Sequence, residues 1–244
     1  MSDARIVTRR PTRLDKKFDI LREKTEQGTL KAASSNRALS KLAGNKLAVL
    51  GLAFVTIMIL ASVFAPLVTQ YDPQKVDLRM MLKPPSADHI LGTDKIGRDV
   101  FARIIYGGRI SILVGLGSAL GAALIGVSIG AYTGYKGGWW DSTFLRISEV
   151  VMSFPQIILV LMLVTILGQS LMNLIIIFTL TGWGSLYRLT RAQMLSLREE
   201  EYVQALRAFG LNTFTICFKH ILPNALGPIM VNITLSTAMF ILQE

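Results

Sequence analysis

Cysteine is almost absent from this chain. Cys217 stands alone among 244 residues, which excludes a disulfide framework. Histidine is nearly as scarce, and His89 and His220 have no Cys, His or carboxylate at helical ligand spacing, so neither a metal nor any other cofactor is expected. The phosphate-loop pattern GxxxxGK(S/T) occurs nowhere, so any nucleotide chemistry belongs to another polypeptide and an enzyme is not expected here. Paired carboxylates and nucleophile–base sets are missing from the apolar stretches. Charge itself is missing over long distances: 47–68, 110–132 and 150–187 contain no Asp, Glu, Lys or Arg.

What is present is apolar. Hydrophobic residues make up 51% of the chain and charged ones only 17%, a balance that suits an all-α polytopic membrane protein better than a soluble domain. A crossing of ~30 Å of hydrocarbon takes ~20 apolar residues. By that measure 47–68 and 110–132 are one span each, and 150–187 holds two, hinged at Gly168-Gln169-Ser170 and Asn173. A last apolar run from Ala225 almost to Glu244 makes the fifth. The expected organisation is a basic cytoplasmic arm (1–46), a first span (47–69), an extracytoplasmic loop (70–109) and a core (110–244) with a cytoplasmic loop at 188–224.

The formal charge of +10 is concentrated at one end, where twelve Lys and Arg in the first 46 residues face five acids. Next to a first span, such an arm fits the cytoplasmic side and contact with anionic lipid headgroups, and nucleic acid is not expected as a partner. Parity then returns 188–224 to the cytoplasm and leaves 70–109 outside, although that loop carries basic residues of its own.

Four features mark functional candidates. In 201–223, EYVQALRAFGLNTFTICFKHILP, acids at Glu199, Glu200 and Glu201 open a helical run, and Gly210 closes it. Val203, Leu206 and Phe209 recur every three residues as a short apolar stripe. In 89–111, Gly92-Thr93-Asp94 and Gly97-Arg98-Asp99 are turn-rich and balanced in charge. Asp94 or Asp99 is placed to cap the amphipathic helix that follows, with Arg98 available to a neighbouring carboxylate. Gly117 and Gly121, then Gly126, Gly130 and Gly134, form small-residue stripes that let another helix approach closely. Gln156, Asn173, Asn232, Thr234, Ser236 and Thr237 are polar at membrane depth. Of these, Asn232 and Ser236, four apart, are the candidates for a translocation path, with interhelical hydrogen bonding as the alternative.

The string GTDxxGRDVxxRxxxGxRxSxxVG resembles the dipeptide, oligopeptide and nickel branch of ABC-importer permeases, in particular the smaller of two paired permease subunits. Asn45-Lys46-Leu47-Ala48, Tyr71-Asp72-Pro73, the stretch 146–155 with Glu149, and Leu222-Pro223-Asn224 share the likeness. So does the "EAA" spacing, with Gln204-Ala205-Leu206 as the triplet, Gly210 four residues on, and Leu222-Pro223 closing; two triplet letters depart from the family's usual ones. The resemblance implies that Glu201, Gln204, Ala205, Leu206, Phe209, Gly210, Leu222 and Pro223 form a coupling loop that docks on an ATPase. It implies a second permease subunit, two ATP-binding subunits, an extracytoplasmic solute-binding protein, a bacterial inner-membrane location and peptide import without ATP hydrolysis on this chain. Nickel chelates and glutathione are alternative substrates of the same scaffold. Family members run on into a sixth span, so the chain is expected to lack its C-terminal end. A secondary transporter, or a fragment that binds partners and moves nothing, are the rival readings.

Overall fold

A computed structural model describes residues 43–244, so the basic arm lies outside the described residues up to position 42. Among the described residues the structure is helical without strands: α1 Lys46–Val63, α2 Ala65–Val68, α3 Val100–Lys136, α4 Gly138–Met152, α5 Gln156–Leu167, α6 Leu171–Leu197, α7 Glu201–Ala208, α8 Thr213–Thr215 and α9 Leu222–Gln243. The chain divides into two compact units, Met1–Met58 and Ile59–Glu244. In its described part the first unit is the opening two-thirds of α1, and everything below concerns the second.

The first expected span does not run unbroken to residue 68. Pro66 has no N–H to return to Ser62 O, and the helix breaks at Phe64. The carbonyls left open are taken by Arg109, which donates to Ser62 O and Val63 O at 2.6 Å each.

The 100–109 stretch, expected as an amphipathic helix at the end of the extracytoplasmic loop, is the first part of α3. Asp99 caps it by accepting the Ala102 N–H at 2.6 Å, and no breaker intervenes before Gly137. At 37 residues this helix is about 55 Å long, well beyond the ~30 Å hydrocarbon thickness.

The glycine stripes of α3 are where α6 lies against it. Gly117 faces Ile175 and Gly121 faces Thr179. Gly126, Gly130 and Gly134 approach the α6 backbone at Trp183, Tyr187 and Arg191 so closely that a Cβ would meet main-chain atoms at 2.5–3.0 Å. The matched numbering rises together on both helices, so α3 and α6 run parallel. A return crossing must therefore lie between them, and α4 with α5 supplies it.

That return is broken. α4 and α5 meet at an 85° bend across Ser153-Phe154-Pro155. Proline biases Phe154 away from helical geometry and ends α4. The turn at Gly168-Gln169-Ser170 forms where expected: Ser170 Oγ accepts the Asn173 N–H at 3.1 Å, and Asn173 Nδ2 donates to Leu167 O at 2.6 Å. Asn173 is thereby a turn residue, not part of a path.

Two boundaries differ from expectation for one reason. The third span begins at Gly138 rather than near 150, and α6 continues to Leu197 rather than ending near 187. Beyond Glu149 and Arg188, which bound the charge-free run, the longer helices take in Asp141 and Arg191, and these meet in a bidentate pair at 2.5 and 2.6 Å, with side chains only 13% and 23% exposed.

After α8 the chain does not stop at Leu222-Pro223. Residues Ile216–Ile221 form π-type turns, and the Leu222 N–H reaches back to Cys217 O. The widened turns absorb the missing Pro223 donor, so the helical run continues into α9. α9 runs antiparallel to α3: its start packs near Ala131 and Tyr135, its end near Gly115.

Three helical runs are long and apolar enough to cross a membrane, and the bent α4–α5 pair makes four. The fourth expected span is α6. It is long enough, but its second half mixes Trp183, Ser185, Tyr187, Arg188 and Arg191 into the apolar pattern, and it does not meet the same test.

Candidate functional site

The candidate residues fall into three groups, two at opposite ends of α3 and one beside its middle. At the Val100 end, the loop before α3 is tied by its own side chains. Asp94 accepts the Ile96 and Arg98 N–H groups at 3.0 and 2.9 Å, and takes Arg98 Nε and Arg103 Nη1 at 2.8 and 2.7 Å. Burial alone would raise the Asp94 carboxyl, but these N–H donors and the Arg98 charge outweigh it and hold it well below the usual carboxylate range. Thr93 donates to Met80 O while accepting the Lys83 N–H. Gly92 and Gly97 sit at φ +71° and +78°, and a Cβ on Gly97 would run into the Asp77 backbone, so both positions demand glycine. Asp99 serves twice, capping α3 and meeting His89 Nδ1 at 2.8 Å, both groups buried. His89 is thus a loop contact, packed on Tyr71 at 4.8 Å between ring centroids.

At the Lys136 end, α7 is a separate short helix with Glu201 in its first turn and Arg207 in its last. Gly210, at φ +75°, turns the chain, and its N–H reaches Arg207 O at 2.9 Å while the Leu211 N–H reaches Leu206 O at 3.3 Å. These paired bonds, with Leu206 and Leu211 both packed on the same core, are a Schellman stop. Val203, fully buried, and half-buried Leu206 and Leu222 settle α7 on Tyr135, Met194, Ile216 and Cys217.

Phe209 departs from the expected stripe. It is 82% exposed, because three residues per step drifts ~60° around a helix each time and the third member leaves the buried face. Glu201, Gln204, Ala205, Pro223 and Phe214 are exposed with it. Polar ties that sequence reading missed fix the orientation. Arg207 Nε donates to Tyr135 Oη at 3.1 Å and lies 5.1 Å over that ring, Gln204 Nε2 donates to Glu199 O, and Asn224 Nδ2 donates to Tyr202 Oη. An arginine in a last turn was the visible signal; its tyrosine, 72 positions away, was not.

Between these ends, at the 85° bend, lies a cavity of about 410 Å³ bordered by α4, α5, α6 and α9. Asn232 and Ser236 line it together, joined by Gln156, Thr181 and Ser185, and no charged residue does. Asn232 Oδ1 is buried without a hydrogen-bond partner, whereas Thr181 and Ser185 hydroxyls donate to carbonyls of their own helix.

Comparison with known proteins matches this architecture. Residues 126–244 fit the family described as binding-protein-dependent transport system inner membrane component, and 35–85 fit the N-terminal TM domain of oligopeptide transport permease C. The oligopeptide transport system permease protein OppC of Bacillus subtilis is 41% identical over 205 residues, covering 83% of this chain and 67% of that protein. The chain belongs to this permease family. The dipeptide transport system permease protein DppC of Alkalihalophilus pseudofirmus is 42% identical, covering 84% of this chain and 68% of its own length. The probable D,D-dipeptide transport system permease protein DdpC of Escherichia coli is 36% identical, with 82% and 67% covered. The chain thus spans about two thirds of the length of these relatives. As a member of the family it is an inner-membrane component of an ABC-type transport system, all-helical and polytopic.

Proposed function

We infer that the chain is one of two permease subunits through which di- and oligopeptides cross the bacterial inner membrane. The second permease, two ATP-binding subunits and an extracytoplasmic solute-binding protein complete the system. In this reading the Lys136 end and α7 face the cytoplasm, and the Asp94–Arg98 loop faces outward. ATP is hydrolysed on the partners, and this chain converts their movement into opening and closing of a path.

The observation that carries the reading is the construction of α7. It is an eight-residue helix with a fixed stop, held by one buried face and by Arg207, while its other face presents Phe209 with Glu201, Gln204 and Ala205. A large exposed aromatic on a rigid mount suits the cleft of a partner, since such anchors dominate protein interfaces. Movement of the partner would pass through Val203, Leu206 and Leu222 to α3, α6 and α9 together.

The uncharged cavity at the bend is the segment of path this chain offers. Gln156, Ser185, Asn232 and Ser236 carry groups that can donate or accept, a set that meets peptide amides regardless of side-chain charge. Selectivity among peptides then rests with the solute-binding protein.

Gly210→Val tests the docking role. No atom lies within 4 Å of the missing Cβ, so the substitution acts through strain at φ +75°, about 1–2 kcal/mol, and through the aim of α7. Co-purification with the ATP-binding subunits should fall at least tenfold and peptide uptake should cease. Unaltered co-purification with intact uptake removes the assignment.

A further inference from the structure

A second site lies at the Lys136 end, beside α7 and outside the path. Two cavities meet there and differ in chemistry. One, of about 420 Å³, is mainly polar: Lys136, Arg198 and Arg207 border it against the single acid Glu199, with Tyr135, Thr213, Leu211 and Ile216 completing the wall. The other, of about 360 Å³, is apolar and runs between α3 and α4, lined by Ile129, Tyr132, Trp140 and Phe144. Lys136 belongs to both.

The cations are held and yet not consumed. Arg198 gives Nε to Glu199 and Nη1 to Gly134 O; Arg207 gives Nε to Tyr135 Oη and Nη2 to Arg198 O. Each guanidinium has five N–H donors, so most remain free. Lys136 is fixed at the junction of the two cavities by Tyr132, donating to its Oη at 3.0 Å and lying 5.3 Å over its ring. Trp139 and Trp140, 69% and 46% exposed, follow directly, and exposed tryptophans beside basic residues mark headgroup depth on a membrane protein.

We propose that this pair of cavities binds one anionic phospholipid, its phosphate among Lys136, Arg198 and Arg207 and an acyl chain along Ile129, Trp140 and Phe144. A free anion would use the basic pocket but leave the apolar groove empty, and a zwitterionic lipid would fill the groove but gain little from three cations facing one acid. Only an anionic lipid satisfies both halves. Because Arg207 belongs to α7, the bound lipid braces the seat of α7 from the membrane side. This goes beyond the transport reading and stands whether or not α7 docks on an ATPase.

The test uses the full chain in detergent, titrated with phosphatidylglycerol or phosphatidylcholine carrying brominated acyl chains, with tryptophan fluorescence as the readout. Each cation near the headgroup is worth about fivefold in affinity. Brominated phosphatidylglycerol should quench saturably, at a concentration roughly tenfold or more below phosphatidylcholine, and Trp139→Phe/Trp140→Phe should remove that saturable component. Lys136→Gln should weaken it about fivefold and Lys136→Gln/Arg198→Gln about thirtyfold. If the double variant unfolds, the exposed Lys136→Gln alone carries the test. Equal quenching by the two lipids, unchanged binding in Lys136→Gln, or full displacement by inorganic phosphate at millimolar concentration would each overturn the proposal, the last by making this a soluble-anion site.

Discussion

The two ends of α3 solve opposite problems. At the Val100 end, side chains satisfy the backbone of their own loop: Asp94 gathers two N–H groups and two guanidiniums, Thr93 bridges Met80 and Lys83, and Asp99 joins His89 to the helix cap. Its polar groups are taken up within the loop, while the apolar side chains Leu78, Leu82 and Ile90 stay exposed. At the Lys136 end, the tie is a buried apolar face with side-chain bonds from Arg207, Gln204 and Asn224, and the outer surface keeps Phe209, Phe214 and Tyr202 exposed. A segment built for its own rigidity uses its polar groups internally. A segment built to engage another molecule is held from behind and left unfinished in front.

This contrast can be broken deliberately. The largest effect is expected at the closed end. Asp99→Ala removes a helix cap and leaves buried His89 unpaired, at a cost of about 3 kcal/mol. Thermal unfolding of the purified chain in detergent should show it, with less protein reaching the membrane. At the open end, Gly210→Val should cost no more than about 2 kcal/mol in the same measurement while abolishing uptake. If instead Asp99→Ala leaves stability unchanged, the closed end is not held as described.

Acid should separate the ends without mutation. Asp94 is held below its unfolded-state value, so its contribution is full above the ordinary aspartate pKa of about 3.9 and declines progressively as pH falls from there through the much lower folded value. Hydrogen exchange at the Ile96 and Arg98 amides should therefore stay slow at pH 5. It should lose protection, after correction for intrinsic rate, below about pH 4, ahead of the amides that close α7 at Gly210 and Leu211. Simultaneous loss at both ends would remove the distinction.

Where groups act locally, the sequence was readable. Asp99 as a cap, Gly210 as a stop, Ser170 at the hairpin turn and the glycine stripes of α3 each depend on neighbours within one or two turns or on a missing side chain. The failures all involve a distant partner or a compensating distortion. Glu149 and Arg188 marked span limits that the helices pass, because Asp141 and Arg191 beyond them meet across 50 residues. Pro66 looked harmless inside an apolar run because Arg109, which accepts the consequence, lies elsewhere. Pro223 looked like an end because π-type turns are invisible in composition. Asn232 and Ser236 were legible as a pair on one face, but the bend at Pro155 that opens a cavity before them was not.

In the proposed reading, the exposed front of α7 and α8 serves a partner and not the fold. The direct measurement is the double variant Phe209→Ala/Phe214→Ala, read for unfolding and for binding to purified ATP-binding subunits on the same preparation. Both side chains are mostly exposed, so stability should stay within about 0.5 kcal/mol of the parent while affinity falls at least tenfold. Unchanged affinity, with the fold equally intact, would contradict it.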